Sequence, residues 1–176
     1  MRLLTALIGT LLLASCSESY RDLDRAFGQD ETSNTPPIAA DSFFITNLKH
    51  QGVTSFHGIA KVRVSPGRIE LTPGAPFMRS LSIPASNIAY CGMTCFGTSD
   101  PRVDLLIPRT GSSITVKNKR EMLDWCWDNK KAVISGADER NWEYKGGSLP
   151  PQSKYAAQLD DRTVFEKQAY QSCLGY

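Results

Sequence analysis

The chain has 176 residues, 41% hydrophobic and 22% charged, with Lys+Arg 20 against Asp+Glu 18. That length suits one compact domain with a small extension, and the composition excludes a disordered chain, a coiled coil and a collagen-like repeat. A net charge of +2 lacks the basic excess that binding a phosphate backbone requires, so no nucleic-acid partner is expected. Two histidines, His50 and His57, leave little for a His-based metal centre, and neither metal nor cofactor is expected.

Residues 1–15, MRLLTALIGTLLLAS, place Arg2 before an apolar run from Leu3 to Leu13 broken only by Thr5, Gly9 and Thr10. The run falls short of the roughly 20 residues that a spanning helix needs, and it fits a removable signal peptide. Leu13-Ala14-Ser15-Cys16 then resembles the lipobox of bacterial lipoproteins. The resemblance implies that Cys16 is acylated on sulfur, becomes the first mature residue on cleavage, and is acylated again on nitrogen. Two or more acyl chains hold a protein on a membrane essentially permanently, whereas one binds marginally. In Gram-negative lipoproteins an Asp after the cysteine resembles an inner-membrane retention signal. Ser17 stands there instead, which implies the outer membrane and a periplasm-facing domain.

Residues 16–41 read as the lipidated cysteine and a flexible tether. They carry Glu18, Asp22, Asp24, Asp30 and Glu31, then Thr-Ser-Asn-Thr-Pro-Pro, with few large apolar residues to bury. Such a segment would span roughly 25–30 Å. Tyr20, Leu23 and Phe27 fall at helical spacing, so one amphipathic turn near the membrane is the alternative.

From Ser42 the pattern is short strands punctuated by Gly and Pro. Strands are expected at Phe43–Leu48, Phe56–Val64, Arg68–Thr72, Arg79–Ile83, Ile88–Cys91, Val103–Ile107 and Ser113–Val116. In the second, Val62 and Val64 alternate with Lys61 and Arg63, as in a half-buried strand. Turns are expected at Ser65-Pro66-Gly67 and at Thr110-Gly111. A helix follows: Asn118 is a good N-cap, Glu121 completes a capping-box-like pair, and Met122, Leu123 and Cys126 share one face. Lys130 and Lys131 place positive charge at its C-terminal end.

Seven strands closed by a helix resemble the pleckstrin-homology-like (PH-like) barrel and its GRAM variants. The residues that carry this are Gly58-Ile59-Ala60-Lys61-Val62-Arg63-Val64, Arg68-Ile69-Glu70-Leu71-Thr72, Ser82-Ile83-Pro84 with Ile88, and the helix 118–130. The expected fold is therefore mainly β (α+β): a small antiparallel barrel with its closing helix over 42–131 and a loop-and-helix extension over 132–176. A lipocalin-like or other β-sandwich with a trailing helix is the alternative. Within the extension, Trp142 and Tyr144 lead into a loop through Gly146-Gly147 and Pro150-Pro151, and Asp161–Ser172 reads as a helix.

With Cys16 set aside, Cys91, Cys95, Cys126 and Cys173 remain. An even number in an exported chain reads as two disulfides, with three pairings open. We expect Cys91–Cys95 as a local clip and Cys126–Cys173 as a tie for the tail. The three-residue gap between Cys91 and Cys95 departs from a CxxC motif, and no nearby His completes a zinc set.

No nucleophile elbow, HExxH, phosphate loop or GxGxxG is present. Asp22/Asp24 and Asp160/Asp161 read as solvated or capping carboxylates, and His57 as a surface or satisfied histidine, so no catalytic residues are assigned. Two features point to binding. Lys49, Lys61 and Arg63 match the loose basic spacing of phosphoinositide-binding PH domains, and Lys61 and Arg63 share a strand face. Trp125 and Trp127 diverge by about 200° on one helix, so one of them must be exposed or covered by the extension. The expected function is a non-catalytic protein-binding lipoprotein, either an immunity or inhibitor protein or an accessory of envelope machinery. Binding of an anionic lipid or glycan through Lys49, Lys61 and Arg63, or a small hydrolase, are the alternatives.

Overall fold

The computed structural model describes residues 18–30, 36–48, 54–75, 78–95, 101–117 and 120–174. Its centre is one antiparallel sheet built from β1 (Gly28–Gln29), β2 (Ala39–Asn47), β3 (Thr54–Ser65), β4 (Arg68–Pro73), β5 (Ser80–Pro84), β6 (Tyr90–Cys95), β7 (Pro101–Ile107) and β8 (Ser112–Lys117). The spatial order is β1-β5-β4-β3-β2-β8-β7-β6. Alternating side chains and tight turns produce this meander. Gly67 (φ 78°) and Gly111 (φ 60°) take the left-handed backbone that those two turns require. The fold is mainly β, α+β.

The barrel closure expected from the PH-like resemblance does not form, because β1 and β6 lie at opposite ends of the sheet order. Both edges are occupied by other segments. Gly28 and Gln29 pair with Leu81 and Ser80 of β5. Cys91 N–H donates to the Ala132 carbonyl (3.1 Å), and Ile134 N–H donates to the Cys91 carbonyl (2.9 Å). A sheet whose edges are covered in this way need not close on itself.

Residues 18–27 form a helix, α1, so the expected tether gives way to folded chain. Tyr20, Leu23 and Phe27 are all buried in the main core. Leu23 and Phe27 alone contribute about 3–6 kcal/mol of apolar burial. The Tyr20 ring lies 5.4 Å from that of Phe56, and its hydroxyl donates to the Arg79 carbonyl. Arg79 in turn pairs with Asp24 (3.5 Å) and Asp30 (2.9 Å). β2 also begins inside the expected tether, at Ala39. The few apolar residues of this segment are spaced to share one helix face, and that face matters more than the mean composition.

α2 (Arg120–Asp128) buries Met122, Trp125 and Cys126 against the same core. Cys126 is bonded to Cys91 of β6, with a Cα–Cα separation of 6.4 Å. This corrects the expected Cys91–Cys95 and Cys126–Cys173 pairing: residues four apart on one strand stand about 13 Å apart, too far for a disulfide, whereas α2 brings Cys126 directly under β6. The side chains of Cys95 and Cys173 lie outside the described residues.

The last third of the chain packs back on the sheet as α3 (Gly136–Lys145), α4 (Ala156–Asp160) and α5 (Arg162–Leu174). α3 is an unexpected helix, and the expected loop through Gly146-Gly147 and Pro150-Pro151 follows it. Ser135 caps α3 by accepting from the Asp138 N–H (3.3 Å), and Gly146 ends it in a left-handed conformation. α5 forms where expected, and Asp161 caps it by accepting from the Thr163 N–H (2.8 Å). The Gln158 side chain satisfies both backbone groups of Val133 (2.8 and 3.0 Å), fixing α4 to the segment that lines β6. Tyr90, Leu106, Ala132, Ile134, Trp142 and Tyr155 form a second, smaller core.

Candidate functional site

Strand alternation divides the sheet into two faces. The inner face carries the main core and is covered by α1, α2 and α5. On the outer face, the register aligns His57, Phe44, Thr115, Asp104 and Gly92 in one row across β3, β2, β8, β7 and β6. One end of this row is open and the other lies under α3.

At the open end, the rings of Phe44 and His57 stack at 4.6 Å and 8°. The Arg102 guanidinium sits 5.0 Å over the Phe44 ring, and its Nη1 donates to the Ser42 carbonyl (3.2 Å). Beside this stack, Ile59 is 66% exposed, the most exposed large aliphatic among the described residues. Lys61 and Arg63 follow on the same face of β3, as expected from their spacing. Lys61 is exposed, while Arg63 stands opposite Glu70 and donates to Thr72 Oγ1 (2.9 Å). Arg63 is therefore engaged across the strand pair, and Lys61 is the more available cation. Lys49 lies outside the described residues, as does Cys16.

The tryptophans resolve differently. Trp125 is 4% exposed and donates from Nε1 to the Ser65 carbonyl (2.9 Å), so it is a core residue and not a docking side chain. Trp127 packs edge-on against Phe165 of α5 (5.6 Å), with Lys130 over its ring (4.8 Å). The extension covers it. Between α2 and α5 lies a cleft of about 480 Å³ floored by Met93, Leu123, Phe165 and Ala169. On its rim, Arg162 bridges Asp124 and Glu166.

At the covered end, α3 sets two carboxyls over the sheet. Glu139 lies directly above Gly92, where an added Cβ would fall 2.7 Å from its Cδ; only glycine leaves room there. Asp104 stands opposite Gly92 in register and accepts from the Thr94 and Thr115 hydroxyls. Glu143, one turn along α3, accepts from Ser113. Glu139 is 3% exposed, and neither of its carboxyl oxygens has a hydrogen-bond partner.

Burial drives all three carboxyls upward in pKa. Glu139 rises well above the usual range through desolvation and the repulsion of Asp104 and Glu143, which Arg140 only partly offsets. Asp104 is raised by desolvation, against the pull of its two threonine donors and Arg102. Glu143 is pushed up to about 7, by burial first and by Asp104 as well, despite the Ser113 bond. Among the described residues, no cluster of His, Cys, Asp and Glu has the arrangement to hold a metal ion.

Sequence reasoning missed this carboxyl cluster because it missed α3. The available signal was Ser135 with Asp138 three residues on, closed by Gly146; that frame places Glu139 and Glu143 one turn apart, beside Trp142. Asp22 and Asp24, expected as solvated acids of a tether, are instead ion-paired on α1, with Arg25 (3.6 Å) and Arg79 (3.5 Å), while Asp161 caps α5 as expected. The chain matches no protein-family model and no curated protein.

Proposed function

We propose that the protein is an envelope lipoprotein, anchored through Cys16 in the outer membrane and facing the periplasm, that works without catalysis by binding another protein. The observation that carries the reading is the open half of the outer face, where an exposed Ile59 and the exposed Lys61 adjoin the Phe44–His57 stack. Aromatic side chains beside exposed aliphatic surface are part of the composition of interface hot spots. The cations favour a partner whose docking surface is acidic at its rim and apolar at its centre. An immunity or inhibitor protein and an accessory subunit of envelope machinery both fit this description.

With α1 folded from residue 18, a lipid on Cys16 would leave only a few residues of slack, not the roughly 25–30 Å of a free tether. Among the described residues, no helix is long and apolar enough to cross a membrane.

The test places a photocrosslinking amino acid at Ile59 in intact cells, with Val164 on α5 as the control position. We expect one protein adduct of defined mass from position 59, lost on Lys61→Glu and absent from position 164. No protein adduct, or an identical adduct set from both positions, overturns the reading. Adducts to lipid or lipopolysaccharide alone would instead favour an anionic-lipid or glycan ligand held by Lys61 and its neighbours.

A further inference from the structure

The carboxyl cluster under α3 has an electrostatic problem that ordinary packing does not solve. Asp104, Glu139 and Glu143 converge on one patch of β6–β8. The groups facing it from each element are few. β6 offers Gly92 and Thr94, with no charge; β7 offers Arg102 beside Asp104; β8 offers Ser113, Thr115 and, one row on, Lys117. α3 itself adds Arg140 and Tyr144. Arg102 is drawn toward Ser42 and Phe44, and Arg140, exposed on α3, offsets only part of the repulsion at Glu139. Three buried negative charges would therefore face little compensation. A protonated carboxyl, in contrast, becomes a donor, and a neutral Glu139 can hydrogen-bond its neighbours where its two oxygens now stand without partners.

α3 is also built to move as a unit. On its N-terminal side, residues 132–134 are pinned to β6 by the Cys91 hydrogen bonds and by Gln158. On its C-terminal side, the left-handed Gly146 and then Gly147 join it to the loop that leads to Pro150. Three things hold the helix down between those points: Asp138 in its first turn, which accepts from Lys154 and from the Tyr155 hydroxyl, Trp142 in the second core, and the three carboxyls over the sheet.

We propose that Asp104, Glu139 and Glu143 form a proton-held clasp: protonated, it keeps α3 seated on the outer face of the sheet, and loss of its protons releases α3 and bares the β6–β8 half of that face. The direction follows from linkage. Carboxyls with raised pKa contribute stability that is fully present below the ordinary carboxylate range and is lost as the pH climbs. For Glu143 the loss runs to about pH 7, and Glu139, raised well above its ordinary value by burial, loses its contribution in the same direction. The clasp is closed in acid and loosens toward alkaline pH. Its opening would extend the Phe44–His57 row into a surface twice as wide.

Hydrogen exchange at pH 5.5 and pH 8.0, corrected for intrinsic exchange, tests this on the full chain. We expect peptides covering 136–145 to lose at least tenfold in protection between the two, while peptides covering β4 keep theirs. Glu139→Gln, which is neutral at both values, should remove most of that difference, whatever its effect on overall stability. Glu143→Gln should shrink the difference around neutrality specifically. Equal protection of 136–145 at both pH values, or a pH profile unchanged in Glu139→Gln, overturns the clasp.

Discussion

The two halves of the outer sheet face use the same strands in opposite ways. The β6–β8 half is roofed by α3, with Trp142 and three carboxyls turned inward. The β2–β4 half turns an aliphatic side chain, an aromatic stack and cations toward solvent. One half needs its side chains for the fold, and the other can do without its own. That difference separates residues that stabilise from residues available to bind, and substitutions can test it directly.

The largest effect should come from Trp142→Ala, which empties the smaller core that seats α3. Large-to-small core substitutions of this kind cost about 3–5 kcal/mol. Trp142 is 4% exposed, so little of that cost should be recovered by solvent. Urea unfolding should show the loss as a lower midpoint at constant slope. A loss below about 1 kcal/mol would mean that α3 is not held by this core.

Next comes the Cys91–Cys126 bond, which ties β6 to α2 across 35 residues. In the chain-entropy model a loop of this size contributes about 4 kcal/mol. Reduction should lower the unfolding midpoint accordingly, and peptide mapping of the oxidised protein should recover the Cys91–Cys126 crosslink. A Cys91–Cys95 crosslink in its place would contradict the fold at its most specific point. Gly92→Ala ranks third, at about 1–3 kcal/mol, because the new methyl must displace the Glu139 carboxyl. Its signature should be raised exchange in 136–145 even at pH 5.5.

Seven strands of the sheet, the α2 and α5 helices and the alternation on β3 were legible because each rests on a local rule: period 2, turn glycines, or caps. Three features were not, or were so only in part. α1 was legible only as the alternative to a tether, from the helical spacing of Tyr20, Leu23 and Phe27, because acidic residues surround those three and only the tertiary core rewards burying them. The disulfide partner of Cys91 depends on where α2 docks, a contact between residues 35 apart that no spacing encodes. The site is the third. Lys61 and Arg63 were visible as a basic strand face, but Phe44, His57 and Arg102 lie on three strands and meet only through register. Trp125, read as a binding candidate, could not be told from core, because a helix stripe looks the same whether a partner or a sheet covers it.

The smallest effect on stability should come from the open half, and that smallness is the point. Ile59→Asp replaces a side chain that is 66% exposed, at a position whose strand neighbours keep their register whatever it carries. Surface substitutions of this kind stay within about 0.5 kcal/mol. Binding should respond in the opposite proportion. An aspartate in the middle of an apolar contact must be desolvated, and it also repels the acidic rim that the cations favour, so capture of the partner should fall at least tenfold. The unfolding midpoint and the crosslinking yield, measured on the same variant, keep the two effects apart. A variant that loses several kcal/mol would make Ile59 part of the fold. One that keeps both stability and crosslinking would leave the open face without a role.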